Sequence, residues 1–198
     1  MKLMVIGCGQ CGGRIADEFA RLNAKSRVQR GLDIITDVLA VNTDIADLSG
    51  LSFIRPDYQH RILIGGQKTS GHGVGKINEL GAEMAREDSD KIVEAMRTAR
   101  RFSETDAFLL IAGAAGGTGS GAIPVLTQQL KERYIEKPLY NLIVLTKPRL
   151  HPVPQALEVN RLENIRFGIL PRLARVAPIP LAETQIIMSA PVKCTLLA

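Results

Sequence analysis

Residues 107–121 read Ala-Phe-Leu-Leu-Ile-Ala-Gly-Ala-Ala-Gly-Gly-Thr-Gly-Ser-Gly, and this stretch is the most informative about the fold class. Its first six residues are apolar, as expected of a strand that is buried on both faces of a sheet. A run of glycine, threonine and serine follows, and Ile123, Leu126 and Leu130 then recur on one side of a helix. The stretch therefore predicts a buried strand, a glycine-rich loop and a helix in direct succession.

The same succession is predicted at the N-terminus. Residues 2–6 indicate a short apolar strand, and a glycine-rich turn follows it. Ile15, Phe19 and Leu22 then recur at the spacing of an amphipathic helix. Further strands are predicted at 38–41, 61–64 and 142–145, and a further helix at 84–101. Strands that alternate with helices indicate an α/β fold, a Rossmann-like parallel sheet with helices on both faces, whose ligand loops leave the carboxyl ends of the strands.

The first glycine-rich turn, Gly7-Cys8-Gly9-Gln10-Cys11-Gly12, has the spacing G-x-G-x-x-G between a strand and a helix. Glycines let the backbone approach a phosphate closely, and the helix N-terminus offers free N–H groups and a positive dipole. Taken alone, this motif suits a nicotinamide or flavin dinucleotide as well as a nucleoside phosphate. It also occurs as a tight turn without a ligand.

Residues 116–121 form a second loop of the same kind. Six small residues at a helix start are expected when backbone amides surround a charged group, and Thr118 and Ser120 add hydroxyl donors. A side chain at Gly119 is expected to block the phosphate, and a positive φ there would add strain. Because a dinucleotide-binding fold uses one such loop, the second one favours a nucleoside phosphate.

A third glycine-rich segment, residues 65–75, precedes Lys76. It either closes over a terminal phosphate, with Lys76 as a nearby charge, or is a flexible surface loop. The chain has no Walker sequence G-x-x-x-x-G-K-[ST], which argues against a P-loop enzyme. Cys8 and Cys11 have the spacing of a redox or zinc pair. No second pair of ligands follows, and both cysteines lie inside the first turn, so phosphate binding is favoured.

Composition narrows the class of protein. The chain has 198 residues, of which 45% are hydrophobic and 23% charged, as in an ordinary globular protein. No apolar run reaches the roughly 20 residues needed to span a bilayer. Three cysteines are too few for a disulfide scaffold and favour the cytoplasm. With 4% aromatic residues and no tryptophan, a stacking surface for single-stranded nucleic acid is not expected.

The charge and the prolines are concentrated near the C-terminus. Residues 146–198 hold 7 Lys and Arg against 3 Asp and Glu, which gives +4 of the total of +5. Seven of the ten prolines lie in 148–198. We therefore predict a nucleotide-binding domain over 1–148 and an atypical, Pro-rich basic tail over 149–198. The tail is expected to be poorly ordered, and an acidic partner or membrane surface is the alternative reading of its charge.

Four segments together resemble the tubulin/FtsZ superfamily. Residues 9–12 resemble the first nucleotide loop of tubulin, residues 40–44 are similar to the second loop, and residues 69–75 are similar to the third. Residues 116–121 match the glycine-rich signature of the family. The resemblance covers about residues 1–148, and its mixture of tubulin-like and FtsZ-like features favours the archaeal CetZ group.

The resemblance implies a GTP-binding cytoskeletal protein that polymerises head to tail, with itself or with full-length relatives. It implies GTP or GDP as the ligand and Mg²⁺ bound through the nucleotide, with no separate metal site and no nucleic-acid partner. The first loop and the 116–121 loop would hold phosphates, the second would lie near the Mg²⁺, and the third would approach the γ-phosphate. The matching positions are Gly9, Gln10, Cys11, Gly12, Asn42, Asp44, Gly73, Val74, Gly75, Gly116, Gly117, Thr118, Gly119, Ser120 and Gly121.

After Pro148 the resemblance ends. Glu158 is a displaced candidate for the ribose contact, and Asn164 is a candidate for reading the guanine. No aspartate follows Asp106, so the acidic loop with which the family positions the attacking water is not found, and no catalytic residue is identified. The segment after residue 148 is either divergent or the product of a truncated or frame-shifted gene.

Two other functions fit parts of the sequence. One is a dinucleotide-dependent enzyme of the Rossmann type, in which Asp44 would hold a ribose; the second glycine loop argues against it. The other is a non-catalytic protein that caps filaments of a full-length relative. The missing acidic loop favours this capping function.

Overall fold

The computed structural model describes residues 1–146 and 184–189 of the chain. They build a six-stranded sheet with the order β3-β2-β1-β4-β5-β6, in which the first five strands in sequence run parallel. The strands are β1 (Leu3–Cys8), β2 (Ile35–Asn42), β3 (Arg61–Leu63), β4 (Ala107–Gly113), β5 (Leu139–Thr146) and β6 (Thr184–Ser189). The α-helices are α1 (Gly9–Arg30), α2 (Ile45–Ser49), α3 (Gly66–Thr69), α4 (Asn78–Glu87), α5 (Ser89–Thr98) and α6 (Thr118–Arg133). The predicted parallel α/β sheet is confirmed.

Helices cover both faces of the sheet because successive strand residues point to opposite sides. On β1, Met4 and Ile6 pack in one core with α4, α5 and α6, whereas Val5 packs in the other with α1 and α2. The same alternation holds on β4, where Phe108 belongs to the first core and Leu109 to the second. Strands buried on both faces therefore carry continuous apolar runs, as the sequence indicates.

The single helix predicted for 84–101 is in fact two helices, α4 and α5. The chain breaks at Asp88, whose backbone leaves the helical region at φ −98° and ψ 15°. The carboxylate of Asp88 accepts a hydrogen bond of 2.6 Å from the backbone N–H of Gly65. This tertiary contact, which the apolar spacing does not reveal, accompanies the break. Ile92, Val93 and Met96 face inward, as predicted.

The predicted apolar stripe of α1 is correct only in part. Ala16 is fully buried and Ile15 and Phe19 pack against the core, but Leu22 is 46% exposed. The second half of α1 reaches β2 through Asn23, whose amide donates to the carbonyl of Ile35 and accepts the N–H of Ile35, each at 3.2 Å. Beside this contact, an open cavity of about 320 Å³ borders both elements. The buried residues of α1 all lie in its N-terminal half, next to the first glycine-rich turn: Gly9, Gly12, Gly13 and Ala16.

One strand lies within the predicted C-terminal tail. β6 pairs antiparallel with β5, with Ile187 opposite Ile143 and Ile186 opposite Val144. This strand was not predicted from the sequence, and it adds one antiparallel partner to the parallel sheet. The rest of the tail lies outside the described residues, and its predicted poor order stays a prediction. No described helix combines the length and the apolar character needed to cross a membrane.

Candidate functional site

Four predicted loops meet at the carboxyl edge of the sheet. They follow β1, β2 and β4 and include the glycine-rich segment after β3. β1 lies between β2 and β4 in the sheet, so their final residues stand side by side: Cys8 is opposite both Val41 and Ala112. Gly9, which has a φ of +69°, lies so close to the next loop that a side chain on it would stand 2.8 Å from the backbone nitrogen of Gly119. The first and the 116–121 loops are therefore in contact.

Two helices begin at this edge with unneutralised N-terminal dipoles. Neither the first turn of α1 nor that of α6 contains an acidic residue. Of the described side chains, none caps either helix at Cys8 or Gly117. The first N–H groups of a helix have no partner within the helix, and the dipole adds a partial positive charge. The arrangement is suited to bind an anion with several oxygens, such as a diphosphate or triphosphate.

The glycines of residues 116–121 serve two different purposes. A side chain on Gly117 would stand 2.7 Å from Val74, and one on Gly121 would collide with the carbonyl of Asn78. A Cβ atom on Gly119 would stand 2.6 Å from the carbonyl oxygen of Cys8. A side chain on Gly116 would meet nothing within 4 Å. Three of these glycines are thus required by packing within the protein, and Gly116 borders open space.

The structure corrects the expected conformation of Gly119. It lies in the first turn of α6 and does not have the positive φ that the sequence analysis considered. A substituent there would meet the end of β1, because α6 starts directly against that strand. A side chain at Gly119 would therefore destabilise the folded protein whether or not a nucleotide is bound.

The hydroxyl groups of the 116–121 loop also bind within the protein. The Thr118 hydroxyl is 2.6 Å from that of Thr43, and both residues are buried. The Ser120 hydroxyl donates to the carbonyl of Gly116. Ser120 thus uses its hydroxyl proton within the loop, whereas in the pair of threonines either hydroxyl can be the donor. Thr43, which the sequence analysis quoted within the second loop but gave no role, joins the second loop to the 116–121 loop.

The third glycine-rich segment is attached to the second loop. Gly73 donates its N–H to the carbonyl of Thr43 at 3.1 Å, and Ile45 donates to the carbonyl of Gly71 at 3.0 Å. Val74 is buried, whereas Gly75 and Lys76 are exposed. Gly75 has open space around it and a φ of 58°. The structure thus brings the third segment to the same edge as the other loops.

The polar side chains of the first two loops converge on Asp47, a residue that the sequence analysis did not identify. Gln10 donates to one carboxylate oxygen at 2.7 Å, and Asn42 donates to the other at 3.1 Å. Asp44 caps α2, because its side chain accepts the N–H of Asp47 at 3.1 Å. The segment Asp44-Ile45-Ala46-Asp47 has the spacing of a capped turn, which is the signal that was available in the sequence.

The two cysteines of the first turn are poor candidates for metal or redox chemistry. Burial raises the pKa of the Cys8 thiol to about 12, and burial also raises the pKa of Cys11. Since the thiolate is the form that binds metals and attacks disulfides, both reactions are disfavoured. Among the described residues, no three His, Cys, Asp or Glu side chains gather as a metal site would require.

A second polar cluster lies at the opposite, amino end of β2. His60 is buried between two carboxylates: its Nδ1 is 2.5 Å from Asp57, and its Nε2 is 3.2 Å from Asp37. Arg55 also donates to Asp37 at 3.0 Å. Burial alone would lower the pKa of His60, but the hydrogen bonds to Asp37 and Asp57 outweigh it and raise that pKa. Asp37, Arg55 and His60 line the cavity that borders α1 and β2.

The candidates for ribose and guanine recognition, Glu158 and Asn164, lie outside the described residues. The structure therefore places the predicted phosphate-binding positions of all four loops at one edge.

Comparisons with known proteins agree with this arrangement. The Tubulin/FtsZ family, GTPase domain, matches residues 2–164. The chain is 46% identical over 145 residues to the tubulin-like protein CetZ1 of Haloferax volcanii, which is 73% of this chain and 35% of that protein. The structure of CetZ1 from Haloferax volcanii as a GDP-bound monomer is similar with a TM-score of 0.64 and 44% identity, over 71% of this chain and 40% of that chain.

A second solved structure is an assembly. The GTPγS-bound protofilament of CetZ2 from Haloferax volcanii has a TM-score of 0.62 and 37% identity, over 72% of this chain and 39% of that chain. This chain thus spans well under half the length of these relatives.

Proposed function

Because the chain belongs to the tubulin/FtsZ family, we propose that it binds GTP or GDP at the carboxyl edge of its sheet and acts as a cytoskeletal subunit or regulator. The observation that carries the proposal is the convergence of α1 and α6, whose uncapped N-termini face the same edge. A nucleoside diphosphate or triphosphate supplies the negative charge that two such dipoles stabilise. GDP and GTPγS are the ligands of the CetZ1 and CetZ2 structures that this chain resembles.

We assign roles to the loops by position. The N–H groups at the start of α1 and α6 would bind phosphate oxygens, and Gly116 leaves room for them to approach. Gly73 to Gly75 would lie beside the terminal phosphate. Mg²⁺ bound to the nucleotide would neutralise part of the phosphate charge. The Asp44 carboxylate, next to Gly73, is the nearest acidic group of the second loop to the third.

Assembly is part of the same proposal. The protofilament of CetZ2 supports head-to-tail association of this chain with itself or with a full-length relative. We also propose the cytoplasm as its compartment, since the described cysteines, Cys8 and Cys11, are free thiols.

Equilibrium binding of fluorescent GDP, competed by GTP, ATP and NAD, tests the proposal. We expect GTP and GDP to compete in the presence of Mg²⁺ and NAD to have no effect. Competition by NAD in place of GTP would identify a dinucleotide-binding protein. Failure of every nucleotide to bind the folded chain would reject the proposed function.

A further inference from the structure

One carboxylate holds side chains from two different nucleotide loops. Asp47 in α2 accepts from the Gln10 amide at 2.7 Å with Oδ1 and from the Asn42 amide at 3.1 Å with Oδ2. Its own position is set by the backbone, because its N–H donates to the capping side chain of Asp44. The first and second loops are therefore connected through both oxygens of a single residue.

The chemistry of these groups fixes how the two amides are oriented. A carboxylate only accepts hydrogen bonds, so both side chains must turn their NH₂ groups to Asp47. The Asn42 carbonyl oxygen is also held, since it accepts the N–H of Thr43 at 2.8 Å. Gln10 is exposed, and its side-chain amide donates to Asp47. Without Asp47, nothing in these contacts would keep the Gln10 amide in one rotamer.

We propose that Asp47 is a positioning residue for nucleotide binding: it orders Gln10 and Asn42 before the nucleotide arrives. The inference rests on the proposed function, since it concerns the same site. Ordering a flexible side chain in advance lowers the entropy that binding must overcome. Asp47 need not touch the nucleotide to have this effect.

A purely electrostatic role for Asp47 predicts the opposite result. A carboxylate near a phosphate site repels the phosphates, so its removal would tighten binding. Positioning predicts that its removal weakens binding. The direction of the change therefore separates the two roles.

The test is the affinity of fluorescent GDP for Asp47→Asn, which keeps the shape but replaces one accepting oxygen by an NH₂ donor. We expect the affinity to fall about tenfold with an unchanged thermal midpoint, as for a coupled hydrogen-bonded group. Asp90→Asn is the matched control, because Asp90 also lies in the first turn of a helix but pairs with Arg133 on the surface. It should bind GDP like the unchanged chain. Asp47→Ala is the second variant and should weaken binding at least as much.

A double-mutant cycle tests whether Asp47 acts through Gln10. In a Gln10→Ala background, we expect Asp47→Asn to weaken binding by less than about threefold, because part of its effect is already lost. Equal losses in both backgrounds would overturn the positioning role. Unchanged or tighter binding by Asp47→Asn would overturn this inference alone. No binding by the unchanged chain would overturn the proposed function together with it.

Discussion

Gly116 lies just before α6 and Gly119, three residues later, lies in its first turn, and the two glycines have different surroundings. A side chain on Gly119 would press against the carbonyl of Cys8, whereas one on Gly116 would enter open space. A sequence motif treats the two glycines alike. The structure shows that packing requires Gly119 and does not require Gly116.

This difference predicts opposite phenotypes for two valine variants. Gly116→Val should leave the fold intact and weaken GDP binding about ten- to hundredfold, the cost of losing a hydrogen bond to a charged group. Gly119→Val should lower the free energy of unfolding by about 1–3 kcal/mol through overpacking. Denaturant unfolding and GDP titration of both variants check the prediction. A stable Gly119→Val protein, or full GDP affinity in Gly116→Val, would contradict it.

The His60 cluster predicts a dependence of stability on pH. Hydrogen bonds to Asp37 and Asp57 raise the pKa of His60 above its usual value near 6.5. The protonated form therefore stabilises the fold fully below about pH 6.5, and this contribution is lost as the pH rises through the folded pKa. Over that interval the free energy of unfolding should fall by up to about 1.4 kcal/mol per pH unit.

The two carboxylates that contact His60, Asp37 and Asp57, make stability depend on pH in the acidic range. Burial opposes ionisation of Asp37 and Asp57, but their hydrogen bonds with His60 prevail and lower both pKa values. Their contribution to the free energy of unfolding is present above about pH 3.9, and it is lost as the pH falls through their pKa values in the folded protein. Unfolding measured from pH 3 to 9 on the unchanged chain and on His60→Gln checks both limits. An identical pH profile above pH 6 in His60→Gln would refute the assignment.

Side chains that lie in a local motif could be predicted from the sequence. Side chains whose contacts join segments far apart in the chain could not. Gln10 and Asn42 were predicted as nucleotide-binding residues because they lie in recognisable loops, and that role stays a prediction. The link between them, Asp47, has only a capped-turn spacing. The hydroxyl of Thr118 contacts that of Thr43, 75 positions away in the chain, and no local sequence pattern predicts this contact.

At the scale of the elements, strands were easier to predict than their ends or partners. The apolar run at 107–112 predicts β4 almost to its bounds, because burial on both faces demands such a run. The helix at 84–101 was predicted without its break, which involves a contact between Asp88 and Gly65. β6 was missed because an isolated apolar strand depends on a neighbour, here β5.

Pairing with β6 makes a prediction for hydrogen exchange in β5. In Ile186→Pro/Ile187→Pro, β6 should no longer pair, because proline lacks the N–H that a ladder needs. Only every second amide of β5, those directed at β6, should exchange at least about tenfold faster, since the others point to β4. The amide of Val5 in β1 is the internal control. Equal exchange at all β5 amides would contradict the pairing.

The same exchange data test the predicted tail. In the unchanged chain, amides of the tail, residues 149–198, are expected to exchange faster than those of 107–112. Protection as strong as that of β4 would instead indicate a second folded domain.

At the scale of the whole molecule, the two edges of the sheet are chemically different. The carboxyl edge gathers glycine loops and two helix N-termini. The amino edge holds an ion-pair network in which Arg101 contacts Asp33 and Glu104, and Lys2 also contacts Glu104. The fold class and the family resemblance that the loops indicated are both confirmed.

The distribution of aspartates along the chain predicts slow GTP hydrolysis. We expect these 198 residues to bind GTP and to hydrolyse it slowly at every protein concentration, because no aspartate follows Asp106 to form the acidic loop that a neighbouring subunit would supply. Phosphate release measured against concentration, alone and with a full-length relative, checks this. Restored turnover with the relative supports the capping function. A rate per molecule that rises steeply with concentration of the chain alone would contradict the prediction.

The tight packing of Gly117, Gly119 and Gly121 has a consequence for how the chain would evolve. In a library selected only for folding, with no demand for nucleotide, these three positions should remain glycine while position 116 drifts. A related protein that no longer binds a nucleotide would still carry most of the glycines of residues 116–121, because helix and strand packing requires them. Position 116 is then the one to inspect when asking whether a distant sequence still binds a nucleotide.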